Sequence, residues 1–521
     1  MLLMSSYADL CQKYYLAPNF ICTSFIFMSS PVNIPFQTVI KIDRSIDHPV
    51  YLQIARQLIN AIQRGVLQAG SQLPGSRSLA LILQVHRKTI IAAFDELDAQ
   101  GWTEIRPNKG TFVRKELPQD PDVKPYSAGL LTSYPEKTGY QFRKSMLLDA
   151  ITLSPNTGLE FNDGLPDIRL LPLERLSKVY GGILRSKTNY RHFGYSHAEG
   201  NVFYREMLAD YLNNTRGLHI KKENILTTRG IHMSIYMASS MLIDAGDVVV
   251  VGDLSYYLAN MCFQQCGAKL QAVPVDKDGI STEAVRELCK RQKIRMLYLT
   301  PHHHYPTTVT LSAERRVELL NLAAQYGFII LEDDYDYDFH YKGNPVLPLA
   351  SADTNGMVVY IGSFCKSLAP GFRSGYLVAP ENLILEMAKF RRLVDRQGDM
   401  LMEQAIAELL EEKEIQRHLK KAVKVYQDRR DLFTSLLIKE LGGELTFDAP
   451  PGGLSVWTNW NPDLNLMRIS KNCTKMNLHL PQELLYQNEH STAMRLGFGN
   501  LNEQEITLAV RVLSKAVNME E

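Results

Sequence analysis

At 521 residues the chain exceeds the length at which one hydrophobic core usually keeps growing, so two or more domains are expected. A hydrophobic content of 45%, 22% charged residues and a formal net charge of +1 describe a globular protein, and they exclude nucleic-acid binding through overall positive charge. Seven scattered cysteines without a C-x-x-C pair fit a reducing cytoplasm, and the nearest two, Cys262 and Cys266, read as one face of a helix.

The opening MLLMSSYADLCQKYYLAPNFICTSFIFMSS is apolar in patches, but it lacks a basic start and is interrupted by Asp9, Gln12 and Lys13, which argues against a signal peptide. Residues 1–45 read as an N-terminal extension, either disordered or translated from a mis-assigned start upstream of Met28. No later run is long and apolar enough to span a bilayer, so no membrane partner is expected.

From Pro49, PVYLQIARQLINAIQRGVL sets Leu52, Ala55, Leu58, Ile59 and Ile62 on one helical stripe that ends before Gly65. In LPGSRSLALILQV, Pro74 and Gly75 form a turn, Ser76 is the expected N-cap, and Leu79, Ala80 and Leu83 are the apolar face of a second helix. HRKTIIAAFDELDAQG puts Ile90, Ala93, Phe94 and Leu97 on one side of a third helix, with His86, Arg87, Lys88 and Thr89 gathered at its N-terminal end. WTEIRPNKGTFV then alternates and is broken by Pro107, Asn108 and Gly110, a hairpin with Lys109 at its tip. Three helices and a hairpin predict a winged helix-turn-helix over residues 46–115. Between Pro49 and Arg114 eight arginines and lysines face four acids, a local excess of four positive charges at the place where a recognition helix enters a groove.

Residues 116–158 read as a linker, because Pro118, Pro121, Pro125, Pro135 and Pro155 break every periodicity; Phe142–Leu153 is expected as a short helix within it. A linker of that length lets the first unit reach a neighbouring subunit.

Past Phe161, helical stretches alternate with short apolar runs, DVVVVGD, MLYLTP, FIILEDD, VVYIGSF and GYLVAP. This predicts an α/β domain over residues 159–521 with a largely parallel sheet that carries ligands at the carboxyl ends of its strands. FIILEDDYDYDF ends its apolar run in Glu332, Asp333, Asp334 and Tyr335; VVYIGSFCKSLAPGFRSGYLVAP ends its run in Ser363, followed by Lys366 and Arg373. Singly, the acids read as helix caps and the lysine as their ion-pair partner. Together they supply what pyridoxal 5′-phosphate requires: an amine able to form a Schiff base, an acid for the pyridine nitrogen, a phenol for the ring oxygen and donors for the phosphate. Gly230 and Ile231, in TTRGIHMSIYMASSML, open a helix whose backbone N–H groups cradle a phosphate, and Tyr256, in GDLSYYLAN, is placed to stack on the ring.

The segment LPGSRSLALILQVHRKTIIAAFDELDAQGWTEIRPNKGTFV resembles the GntR-type DNA-binding domain. FNDGLPD, FGYSHAEGNVFYREMLADYL, EDDYDYDF, SFCKSLAPGFRSGYLVAP and MRLGFGN resemble class I, fold-type I aminotransferases, and the combination resembles the MocR-family transcription regulators. The resemblance implies an aminotransferase-like α/β domain with a smaller C-terminal α+β subdomain, preceded by the winged helix. It implies double-stranded operator DNA as partner, contacted by Arg77, Arg87 and Thr89 in the major groove and by Lys109 and Gly110 through the wing, with His86 and Lys88 as further candidates. In the large domain it implies Lys366 as the covalent tether of pyridoxal 5′-phosphate, Asp333 at the pyridine nitrogen, Tyr335 at the ring oxygen, Arg373 and Ser363 at the phosphate, and Arg495 gripping the carboxylate of a small amino-compound effector. A homodimer, domain-swapped head to tail, is implied as well.

The chain departs from that family at several points. Arg229 and Gly230 stand where serine and glycine are usual; in TPHHHYPTTVTL, His302 and His304 replace serine and glutamine, Thr308 replaces a glycine, and His303 is the candidate for the cofactor pocket. Three successive histidines resemble a metal motif, but a strand or tight loop splays neighbouring side chains, and no metal is expected. Two readings stay open. One is a regulator that senses pyridoxal phosphate or an amino compound, with at most residual half-transamination; the other is a working aminotransferase with an accessory DNA-binding domain. A third, a dimerisation scaffold without cofactor, is weaker.

Overall fold

In the computed structural model the first helices form where the apolar spacing places them: α1 (Val50–Gln63), α2 (Ser76–Leu83) and α3 (Arg87–Ala99), followed by a hairpin of β1 (Thr103–Arg106) and β2 (Gly110–Val113). Ile54, Leu58, Leu79, Ile90, Leu97 and Val113 are wholly enclosed in their common core. The apolar stripe of α1 is rotated from the expected one, with Ile54 and Ala61 buried and Leu52 and Ile59 only half-buried. Ser76 is not an N-cap. The cap position is Gly75 in extended backbone with no side-chain acceptor, and Ser76 Oγ accepts from Arg87 Nε at 3.3 Å across the turn between the two helices.

The structure describes residues 36–118, 136–142, 144, 158–341, 343, 345–489 and 491–519. Met28 and the N-terminal segment before residue 36 lie outside these, as does the expected Phe142–Leu153 helix apart from Phe142 and Lys144. The chain divides into two compact units, Met1–Phe142 and Arg143–Glu521.

The second unit is organised by a seven-stranded sheet. Its strands are β3 (Ile225–Thr228), β4 (Val248–Gly252), β5 (Lys269–Val273), β6 (Met296–Leu299), β7 (Ile329–Asp334), β8 (Val358–Ser363) and β9 (Gly375–Val378), in the spatial order β3-β9-β8-β7-β6-β4-β5. All neighbours run parallel except β9, which is antiparallel to both β8 and β3. Alternate side chains feed two cores: Val250, Leu297, Ile330 and Tyr360 on one face, Val249, Met296, Leu331 and Ile361 on the other. Burial on both faces is why these strands read as unbroken apolar runs. The carboxyl ends of β3, β6, β7 and β8, with the start of β9, form one edge, where Ser363 pairs with Gly375 and Gly375 with Thr228.

The C-terminal part is a smaller antiparallel sheet of β10 (Leu445–Thr446), β11 (Ser455–Trp460), β12 (Leu485–Gln487) and β13 (Thr492–Gly497), in the order β10-β11-β13-β12. It puts Arg495, opposite Trp457, into the core side of the domain with 1% exposure. Among the described residues no helix is long and apolar enough to cross a membrane.

Candidate functional site

A cavity of about 190 Å³ opens at the carboxyl edge of the large sheet, lined among others by Asp163, Tyr256, Tyr298, Asp333, Lys366 and Arg373. Of the residues expected from sequence, Ile231, Tyr256, Asp333, Tyr335, Ser363, Lys366 and Arg373 line it. Asp333, near the end of β7, is 3% exposed; its Oδ2 accepts from Tyr298 Oη at 2.8 Å, while Oδ1 is buried with no hydrogen-bond partner among the described residues. Burial pushes its carboxyl up to about 7, against the lowering effect of the Tyr298 hydrogen bond. An unpaired acceptor of that kind suits a protonated ring nitrogen, which would both satisfy it and hold it ionised.

Lys366 lies in the loop after β8. Its Nζ sits 4.4 Å from the centre of the Tyr335 ring and donates to the Asp163 backbone oxygen at 3.4 Å. Desolvation lowers its pKa, so the amine is readied as a nucleophile. Tyr335 Oη donates to the His303 backbone oxygen at 2.7 Å. Gly230 caps helix α4 (Ile231–Leu242) with φ +97°, a conformation that favours glycine, and a Cβ there would lie 3.4 Å from the exposed guanidinium of Arg373. Arg373 itself is held at φ +48° and has no ion-pair partner among the described residues. A start of helix, a free guanidinium and Ser363 together make an anion site. The residues present therefore fit pyridoxal 5′-phosphate at both of its ends.

Sequence reasoning did not single out Asp163, His232, Tyr298 or Tyr305, all of which line the cavity. His232 Nε2 and Tyr256 Oη lie 2.6 Å apart with their rings nearly parallel, and Tyr305 meets Tyr256 edge-on at 4.9 Å. Thr300, just past the end of β6, follows the strand-end rule that found Asp333, whereas Tyr298 lies inside the β6 run. Asp163 lies inside FNDGLPD, a stretch that carries a family likeness but no strand-end signal of its own.

His303 is a correction. It does not line the cavity; its ring, 2% exposed, is bound through Nδ1 to Asp336 Oδ1 at 2.8 Å, and only its backbone oxygen reaches a cavity residue. Its neighbours turn elsewhere, His302 Nε2 to Val346 O and His304 Nε2 to Leu254 O at 2.8 Å, so three rings find three partners. Thr308, in place of a glycine, occupies φ +63°, which explains why glycine suits that position. Arg229 points outward to Asp395, 3.2 Å away, and is absent from the cavity wall. Arg495 is also outside the wall. Its Nε donates to Asp163 Oδ1 at 2.8 Å, Nη1 to Pro306 O at 2.9 Å and Nη2 to Tyr335 Oη at 3.4 Å.

In the first unit Arg77, His86, Arg87, Lys88, Lys109 and Gly110 are exposed and Thr89 is half-buried. His86 caps α3, its Nδ1 accepting from Lys88 N at 3.2 Å. The hairpin tip turns through Asn108 at φ +61°, which leaves Lys109 outermost.

Comparison with known proteins adds three findings. Residues 183–513 match the family described as aminotransferase class I and II, and residues 50–113 match the bacterial regulatory proteins of the gntR family. The chain is 29% identical over 426 residues to the probable rhizopine catabolism regulatory protein MocR of Rhizobium meliloti, covering 80% of this chain and 82% of that one. It is 26% identical to the uncharacterized HTH-type transcriptional regulator YisV of Bacillus subtilis (strain 168), covering 91% and 96%. Among solved structures it resembles LysN, an α-aminoadipate aminotransferase from Thermus thermophilus complexed with N-(5′-phosphopyridoxyl)-L-leucine, with TM-score 0.64, 25% identity and coverage of 69% and 92%.

Proposed function

The chain belongs to the aminotransferase class I and II family, and from that premise, joined to its gntR-family segment, we propose that it is a pyridoxal phosphate-dependent transcription regulator. The observation that carries this reading is the joining in one polypeptide of a winged helix with exposed cations to a cavity that fits the cofactor. A metabolic enzyme has no use for a DNA-reading helix. The domain limits we assign are 46–115 for the DNA-binding unit, 116–158 for the linker and 159–521 for the cofactor domain.

The cofactor, when bound, supplies an electrophilic carbon and an electron sink. This chain's residues do the rest. Lys366 provides the amine, Asp333 holds a proton at the ring nitrogen, Tyr335 faces the ring oxygen, and Arg373 with Ser363 and the start of α4 receives the phosphate. Arg77, Arg87, Lys88, Thr89 and His86 meet the major groove, and Lys109 and Gly110 the backbone beside it. GntR-type regulators bind DNA and aminotransferase-like folds commonly dimerise; we extend this to a homodimer whose DNA-binding units exchange between subunits. An amino compound is sensed by binding one arrangement of the domains better than another.

The test pairs two measurements on the full chain: binding to the DNA upstream of its own gene at several salt concentrations, and the absorption band of the cofactor-loaded protein. Salt-dependent, sequence-selective binding that changes with cofactor loading is expected. Steady multiple turnovers with an amino donor and keto acceptor, without selective DNA binding, would instead establish the second reading, a working aminotransferase, which the complete set of Lys366, Asp333, Tyr335 and Arg373 favours.

A further inference from the structure

Arg495 was expected to grip an effector carboxylate, but a side chain of this protein already holds it. Asp163 Oδ1 takes the Arg495 Nε hydrogen at 2.8 Å, and the rest of the guanidinium is steered to Pro306 O and Tyr335 Oη. Arg495 is 1% exposed, whereas the Asp163 side chain is 40% exposed and lines the cavity. Its Oδ2 has no hydrogen-bond partner among the described residues, and its backbone oxygen lies 3.4 Å from Lys366 Nζ.

The charges around this point assign themselves. Arg373 serves the anion site, Asp333 the ring nitrogen, and Lys366 the tether. What remains to meet an incoming ligand is the Asp163–Arg495 pair, whose positive member is enclosed and whose negative member faces the cavity. An incoming carboxylate would set two like charges about one guanidinium or expel Asp163 from it, and either is unfavourable. A cationic group finds the free Asp163 Oδ2 and, beside it, the rings of Tyr256 and Tyr305, of which Tyr305 already packs against a cation in Arg495, 4.8 Å from its centre.

We propose that the effector is a primary amine bearing a second cationic group and no carboxylate, a diamine, and that Asp163 is the residue that selects it. This rests on the cofactor-dependent sensor reading and narrows its ligand class.

The experiment uses full-length protein loaded with pyridoxal 5′-phosphate, its loading followed by the absorption band, and calorimetric titration with putrescine and with 4-aminobutanoate. The two probes share one four-carbon frame and differ in the sign of the distal group. Wild type is expected to bind putrescine at least about tenfold more tightly, the scale of one matched against one mismatched charge contact. Asp163→Asn should cancel or reverse that preference by weakening putrescine and freeing Arg495 for the carboxylate, while Asp163→Glu keeps the wild-type order. A wild-type preference for 4-aminobutanoate, no binding of putrescine, or an unchanged ratio in Asp163→Asn overturns the assignment alone. An absent cofactor band in wild type overturns the sensor reading and this assignment with it.

Discussion

Asp333 accepts a hydrogen bond from Tyr298 through one oxygen while its other oxygen is buried without a partner, so the carboxyl is built to be completed by a ligand. Without that ligand its pKa stands near 7, above the ordinary 3.8, because burial disfavours the charge. The folded state therefore holds a proton that the unfolded chain releases at about pH 4. Stability from this group is present below pH 4 and falls as pH rises to 7. Cofactor-free Asp333→Asn should lack this component, so wild type and variant should diverge between pH 4 and 7 by up to about 4 kcal/mol, read as urea midpoints. The same variant should bind the cofactor more weakly, since an amide holds no charge opposite a protonated nitrogen.

Lys366→Ala should abolish the absorption band of the cofactor-bound protein and leave the fold intact. The amine is buried at a desolvation cost and makes one long hydrogen bond, so its removal should change stability by no more than about 1 kcal/mol. Circular dichroism together with the absorption spectrum checks both halves; a lost band with a lost fold would contradict the second.

Much of this site was legible because strands buried on both faces read as apolar runs, and the polar residue that ends each run marks the ligand edge. Asp333, Ser363 and Lys366 were found in that way. Tyr298 was not, since an aromatic inside an apolar run carries no sign of the face it takes. Asp163 and Arg495 are 332 residues apart, and no local pattern reports an ion pair of that separation. His303 was misplaced because its ring direction is set by Asp336, on another segment, and the expected Ser76 cap failed because Gly75 had already turned the chain into α2.

Arg87 and Lys109 are exposed cations on the recognition helix and the wing. If each contacts one phosphate, Arg87→Ala or Lys109→Ala should reduce the slope of log affinity against log salt by about 0.9. Replacing both should reduce it by about twice that. Fluorescence anisotropy on operator-bearing and scrambled duplexes measures the slope, and Arg87→Ala should in addition narrow the difference between the two duplexes.

His86→Ala removes the acceptor for Lys88 N and should destabilise the DNA-binding unit by about 1 kcal/mol, while His86→Ser should restore most of it. A histidine that only packed against its neighbours would give no such rescue in a thermal melt.

Gly375 begins the antiparallel strand that brings Arg373 to the anion site, and it meets Gly230 backbone to backbone. A Cβ at 375 would lie 2.5 Å from Gly230 Cα and 2.8 Å from its nitrogen, closer than real contacts allow, and neither partner is a flexible side chain. Gly375→Ala must therefore push the start of α4 away from β9. The expected cost is about 1–3 kcal/mol of stability. Because Gly230 and Arg373 both belong to the phosphate end of the cavity, cofactor affinity should fall with it. Gly371→Ala is the matched control two residues before Arg373: its Cβ would have nothing within 4 Å, so it should leave both the urea midpoint and the cofactor dissociation constant unchanged. Equal behaviour of the two variants would show that the β9–α4 contact does not shape the anion site.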